Sequence, residues 1–305
     1  MRPRDRRVVR LTFPGFEGEL GLVERRDGQV APALAGRVAV VTGASRGVGK
    51  GVALGLGEAG ATVYVTGRSL EGSEDRRGSL SRTVEEIDSL GGHGVAVQCD
   101  HAIDGQVEAV LDRVRAEHGR LDVLVNNVMS TPQRAELPAG ARSQWDLHPF
   151  WEVPIAFWDT FHIVGLRSHY VASAFAAPLL IESGGGLIVC ISAPGSSRYV
   201  GNIAYGVGKA GVEKLVADMA EELRPHNVTS VSLWPGFIRT EDVLAQPDVY
   251  PDLSSTHSQL FPGRAVAALA NDPNLLAKTG TTLKAIELAH EYGFTDTDST
   301  APATR

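Results

Sequence analysis

The sequence predicts an α/β fold: a doubly wound, mainly parallel seven-stranded sheet with helices on both faces. Three observations predict it. Short β-branched apolar runs alternate with helix-like stretches from residue 37 to residue 290. The first of these runs opens onto a glycine-rich turn that leads into a helix. A later helix-like stretch carries Tyr205 and Lys209 on one face, just after a strand that ends in Ser192.

Composition sets the outer bounds. The 305 residues suit one large α/β domain with extensions or two small domains, and are ample for a sizeable core. Hydrophobic content of 43% and charged content of 21% are ordinary for a globular chain, and a formal net charge of -7 argues against a nucleic-acid partner. Cys99 and Cys190 lie in apolar strand-like runs and read as reduced core residues. No C-x-x-C or Cys/His ligand spacing is present, and His290-Glu291 lacks a second His, so no metal site is expected. No apolar run reaches the ~20 residues of a membrane span, so the expectation is a cytoplasmic protein with no membrane partner.

Residues 1–36 precede the fold. They are Arg-rich and punctuated by Pro14, Gly15, Gly18 and Pro32. They have no apolar segment of a secretory signal, and Asp5, Glu17, Glu19 and Glu24 count against an organelle leader, so a surface arm is expected. Arg37–Thr42 reads as a fully buried strand. Gly43, Gly47 and Gly49 follow, then a helix ending at Gly60 and a second strand over 61–66. Strand, glycine turn, helix and strand within about thirty residues form the unit that cradles a pyrophosphate on a helix N-terminus. Arg46 lies inside that turn and Arg68 follows the second strand, where an NAD enzyme often places an acid. Two guanidinium groups there favour a ribose 2′-phosphate, so NADP(H) is preferred, with NAD(H) the alternative if the arginines are only solvated.

Further strands are read at 94–100, 121–127, 186–192 and 227–236, with a last one inside 279–296. Helices are read at 104–118, 158–180, 205–224 and 262–272, with a short helical stretch before a tail over 291–305. Two loops follow strand ends, where open α/β sheets bind ligands. The loop 130–157 carries Trp145, Phe150 and Trp151 and serves a substrate pocket or a subunit contact. The segment 241–262, rich in Pro, Ser and Asp, reads as a mobile lid.

Tyr205 and Lys209 have the chemistry of a proton donor. A tyrosine working near neutrality needs its pKa lowered by ~2 to 3 units from ~10, and a lysine charge ~4 Å away supplies about that much. Ser192 can hold a carbonyl oxygen beside the phenol.

The spacing T-G-x-x-x-G-x-G, with Ser192 and Tyr205-x-x-x-Lys209 in the same order, resembles the short-chain dehydrogenase/reductase family over about residues 37–270. The resemblance implies a Rossmann-type fold and a cofactor held by Gly43, Ser45, Arg46, Gly47, Val48, Gly49, Arg68, Asp100, His101, Asn126, Asn127, Tyr205, Lys209, Pro235, Gly236, Ile238 and Thr240. In it Asp100 meets the adenine ring, although an acid at a strand end also caps helices. Lys209 holds the nicotinamide ribose as well as lowering the Tyr205 pKa. Two departures stand out. Val128-Met129 replaces the Ala-Gly of the family's N-N-A-G, and Gly165 stands where a helical Asn usually completes the catalytic set. In the family the helix bends there and a main-chain carbonyl holds a relay water, so the relay is expected to survive through water or His162. One subgroup, which shares Val164–Tyr170 and Ser232–Gly236, also has glycine there and contains NADPH-dependent reductases of steroid and xenobiotic carbonyls. The chain has no counterpart of the apolar C-terminal extension of the vertebrate member, so no membrane association is carried over.

The expectation is therefore an NADPH-dependent carbonyl reductase or alcohol dehydrogenase. Its substrate is a hydrophobic ketone or aldehyde lined by Met129, Trp145 and Trp151. A homodimer or homotetramer through the helices at 158–180 and 205–224 is implied by the resemblance. The rival is an NADP(H)-binding sensor or scaffold that has lost turnover. A nucleotide-sugar epimerase or dehydratase is disfavoured by the glycine spacing.

Overall fold

A computed structural model describes residues 33–71, 78–131, 136–137, 139–141, 145 and 149–297. The arm up to residue 32, the run EDRR at 74–77 and residues 298–305 lie outside the described residues.

Strand β1 (Val38–Thr42) is five residues long and buried throughout, as its unbroken apolar run requires. It pairs with β2 (Thr62–Gly67) on one side and β4 (Val123–Asn126) on the other. The sheet continues through β3 (His93–Gln98), β5 (Gly186–Ile191), β6 (Val228–Trp234) and β7 (Thr282–Lys284) in the order β3-β2-β1-β4-β5-β6-β7. All six pairings are parallel, which sharpens the expected mainly parallel sheet. The strand order reverses between β1 and β4, and the crevice that opens there is the ligand site of such sheets.

Successive residues of each strand face opposite sides, so each side has its own core. On one side Val41 and Val65 pack with Val52 and Leu56 of α1 (Gly47–Glu58), Ile87 of α2 (Leu80–Ser89) and Phe261 of α8 (Leu260–Ala270). On the other, Val40 and Leu124 pack with Val114 of α3 (Asp104–His118), Leu179 of α5 (Ser168–Glu182) and Val212 of α6 (Ile203–Leu223). A short α4 (Ala156–His162) runs into α5 through a π-helical turn, Ile163–Arg167, which contains Gly165. The bend expected at Gly165 is that turn.

Three boundaries differ from the sequence reading. Leu34 is buried and its N–H bonds Ala59, so the domain begins before Arg37. Helix α9 (Ala285–Tyr292) crosses the expected start of the tail, and the buried Asp296 accepts from Ser258, so the fold runs on past residue 290. The expected lid is partly helical: α7 (Glu241–Leu244) opens it and α8 begins at Leu260. The continuous stretch Ala156–Glu182, 27 residues, is long and apolar enough to cross a membrane, contrary to the sequence expectation; half of its most apolar window is buried inside this domain.

Candidate active site

The glycine turn joins β1 to α1. Gly43 and Gly47 take φ of 67° and 62°, which side chains rarely adopt. A methyl group on Gly43 would lie 2.7 Å from Val128 Cα, so β4's extension crosses directly over the turn. Asn127 fixes this crossing: its Nδ2 donates to Thr42 O at 2.9 Å and Gly43 O at 3.0 Å. Gly49 leaves room for that amide, since a methyl group there would meet Asn127 Nδ2 at 2.2 Å.

The cradle accepts an anionic oxygen. Gly47 N–H, at the start of α1, donates to Glu241 Oε2 at 2.9 Å, a carboxylate standing where a phosphate oxygen is expected. Ser45 and Val48 are half-buried around it; Arg46 and Arg68 are exposed at its edge, and Arg46 Nε is 3.9 Å from Asp242 Oδ2. After β6, Pro235 and Gly236 (φ 89°) turn the chain back, and buried Ile238 bridges to His257. Thr240 then caps α7 by accepting from Val243 N–H, and its methyl lies by Gly47. The segment expected beside the nicotinamide therefore does face the glycine turn. The residues present fit a dinucleotide.

Two expected cofactor contacts are corrected. Asn126 is fully buried and its amide donates to Ser173 Oγ and Cys190 Sγ, so its side chain faces the α5 core. His101 is 4% exposed and its Nε2 pairs with Thr66 Oγ1 at 2.9 Å, inside the fold. Asp100 accepts from Ala102 N–H in a turn before α3, whose N-cap is Ile103 with no side-chain bond, so the helix-capping alternative is not the role it takes.

The reacting set gathers at the C-terminal end of β5. Asn202 caps α6 by accepting from Tyr205 N–H, which places Tyr205 in the helix's first turn and Lys209 one turn on. Lys209 is 5% exposed; its Nζ donates to Ile191 O at 2.8 Å and lies 5.7 Å from the Tyr205 ring centre. Ser192 is buried beside it and its Oγ donates to Glu213 Oε1 at 2.8 Å. The expected acidic phenol is not what this geometry produces. Burial pushes Tyr205 up to about 12, and burial lowers Lys209 to about 8. Burial alone accounts for the raised phenol, and the Lys209 Nζ is engaged by the Ile191 carbonyl.

The substrate side is aromatic. Trp145 packs edge-on against Tyr205 at 4.8 Å, and Phe161 of α4 lies 5.9 Å away. The Trp145 indole also hydrogen-bonds the Tyr250 hydroxyl, and Tyr250 packs on Phe237 at 5.6 Å. The long loop and the 241–262 segment thus meet over Tyr205. Trp151 does not join them: it is 73% exposed and its ring contact is Phe150. Met129 fills space beside Gly165, its Cγ 3.3 Å from where a methyl group would stand. His162 Nδ1 donates to Trp158 O at 2.7 Å, which leaves Nε2 a buried lone pair with no partner among the described residues, near Gly208 between Tyr205 and Lys209. Sequence reading missed Glu213, Trp234, Phe161 and Tyr250. For Glu213 a signal existed: it lies four residues beyond Lys209, on the same helix face.

Comparison with known proteins agrees. Residues 37–247 match the family model for short chain dehydrogenase. The chain is 45% identical over 282 residues to Dehydrogenase/reductase SDR family member 1 of Mus musculus, covering 88% of this chain and 85% of that protein. The Homo sapiens protein of that name is 44% identical over the same length, covering 88% and 86%. A solved metagenomic short-chain oxidoreductase in complex with NADP superposes with a TM-score of 0.64 at 30% identity, over 83% of this chain and 98% of that one. Fold, motif geometry and these likenesses lead to one conclusion: the chain belongs to the short-chain dehydrogenase/reductase family and is an oxidoreductase enzyme.

Proposed function

We propose that the protein is an NADPH-dependent reductase of a hydrophobic ketone or aldehyde, reversible as alcohol oxidation. The carrying observation is the convergence of Ser192, Tyr205 and Lys209 at one strand end, under an aromatic wall built on Trp145. NADPH, when bound, supplies the hydride. Tyr205 delivers the proton to the carbonyl oxygen, Ser192 positions that oxygen, and Lys209 holds the nicotinamide ribose. A phenol pushed up by burial keeps its proton throughout the neutral range, which suits the reductive direction; oxidation is favoured as pH rises toward the phenol's titration. His162 Nε2, beside the π-helical turn at Gly165, supplies an acceptor for the relay that the usual Asn would serve.

Arg46 and Arg68 at the edge of the cradle favour NADPH over NADH. The superposing NADP complex is consistent with that preference. Subunit contact through α4, α5 and α6 is favoured by the exposed Trp158, Tyr170, Ile203 and Val207 along those helices and by Ile163 in the turn between α4 and α5. The sensor reading retains one supporting observation, the missing amide at Gly165.

A panel of ketones, quinones and aldehydes followed by NADPH absorbance tests the reading, with Tyr205→Phe as control. Turnover that falls by at least ~100-fold in that variant is expected; NADPH binding with no oxidation across the panel would favour the sensor. Arg68→Ala should narrow the preference for NADPH, and equal use of NADH by the unaltered enzyme would end the cofactor assignment.

A further inference from the structure

The face of α6 that carries Tyr205 and Lys209 carries one more polar group. Glu213 continues the same stripe, one turn beyond Lys209. Its Oε1 accepts from Ser192 Oγ at 2.8 Å and from Trp234 Nε1 at 2.7 Å. An indole N–H only donates, so that oxygen is fixed as an acceptor. The Ser192 hydroxyl is therefore held through its proton, while its own N–H is tied to Leu233 O at 2.9 Å. A hydroxyl and an indole from two different elements converge on the one carboxylate oxygen.

We propose that Glu213, braced by Trp234, is a positioning residue that holds the Ser192 side chain in place, its hydroxyl proton turning from Oε1 to the substrate carbonyl oxygen, and that keeps Lys209 in its ammonium form. The inference rests on the reading of Ser192, Tyr205 and Lys209 as the reacting set. The groups that face Lys209 come from three elements. Strand β5 presents Cys190 and the Ile191 carbonyl, α5 presents His169, and α6 presents Tyr205 and Glu213. Burial lowers the ammonium to about 8 against the opposing pull of Cys190 and Glu213. Cys190 is itself pushed up to about 12 by burial and is an uncharged thiol near neutrality. His169, lowered to about 3 by burial, is neutral there. Glu213 is left as the partner that opposes loss of the Lys209 proton.

The test uses NADPH affinity, read by nucleotide fluorescence from pH 6.5 to 9.5, and needs no substrate. Affinity for the unaltered protein should fall as pH rises through the Lys209 titration. Glu213→Gln keeps an acceptor of the same shape but loses the charge. It should bind NADPH about as well at pH 6.5 and several-fold more weakly at pH 8, its falling limb displaced by about one unit to lower pH. The match at pH 6.5 shows that the variant is folded. A second readout concerns the shared oxygen. Ser192→Ala should move the Trp234 indole proton downfield in NMR, because Oε1 then has one donor instead of two; Trp234→Phe assigns the resonance. A flat affinity profile, a limb that Glu213→Gln does not move, or an indole proton indifferent to Ser192→Ala overturns the proposal. Absence of NADPH binding altogether would instead remove the functional reading beneath it.

Discussion

The two asparagines at the end of β4 show what a residue-by-residue reading can reach. The resemblance gave both to the cofactor. Neighbouring strand residues point to opposite faces, so the extension that aims Asn127 at the glycine turn turns Asn126 into the α5 core. His101 was misplaced because nothing in a single sequence says which side of a turn is roofed by the next helix. The departures at Met129 and Gly165, read separately as anomalies, are one packing unit: the methionine occupies room that an amide at 165 would take. Gly165→Ala should be neutral or stabilising by up to ~1 kcal/mol, because the flexible Met129 can yield a few tenths of an ångström while a helical glycine is removed. Gly165→Asn should cost about 1–3 kcal/mol by overpacking. Adding Met129→Gly should recover most of that loss, measured by denaturant unfolding as a double-mutant cycle. Additive effects of the two changes would show that the sites do not share this space.

Among the elements, α1 is the clearest case of a helix whose residues answer to distant chain. Its glycines read as a helix with a pyrophosphate turn, which accounts for Gly47 and Gly49 but not for Gly51 or Gly55. Helix α8 crosses α1 at backbone distance: methyl groups on Gly51 and Gly55 would lie 1.7 Å from Gln259 O and 2.3 Å from the Gly263 carbonyl carbon. That reason lies some two hundred residues downstream and leaves no local mark, whereas the Ser, Tyr and Lys set is legible because its spacing is local to one strand and one helix. The aromatics of the long loop stand out in the sequence, but only the fold brings Trp145 onto Tyr205 and Tyr250 together. Gly55→Ala should destabilise by ~1–3 kcal/mol or more, since backbone must move to admit the methyl. Gly105→Ala in α3, where a methyl group meets nothing within 4 Å, should gain ~0.5–1 kcal/mol. Thermal unfolding of the two variants should shift in opposite directions; equal losses would mean that α1 and α8 are not in backbone contact.

At the scale of the whole molecule, the core beneath α3 and α5 holds two histidines that must stay neutral. His101 and His169 are 4% and 0% exposed, and each keeps a buried Nδ1 with no partner among the described residues. His169 Nε2 donates to Val128 O, a carbonyl that only accepts, so its Nδ1 is a bare lone pair. Burial lowers His101 to about 4 and His169 to about 3. The unfolded chain takes up protons at both near the ordinary value of ~6.5, so between that pH and 4 the unfolded state binds more protons than the native one. Stability is thus full above pH ~6.5 and is lost as pH falls. Each pH unit costs about 1.4 kcal/mol per histidine, or about 4 kcal/mol in all by pH 5. That is a large share of a typical domain's 5–15 kcal/mol. Carboxylates such as Asp296, held low by Ser258 and the Thr297 N–H, add to the loss only further down the scale. Denaturant unfolding at pH 7.5, 6, 5 and 4.5 should show this decline beginning near pH 6.5. The double variant His101→Gln with His169→Gln should start from a lower stability at pH 7.5 and decline less steeply between pH 6.5 and 5. A native protein equally stable at pH 7.5 and 5 would mean that these rings can take up protons in place, and that the floor of the site is wetter than its burial implies.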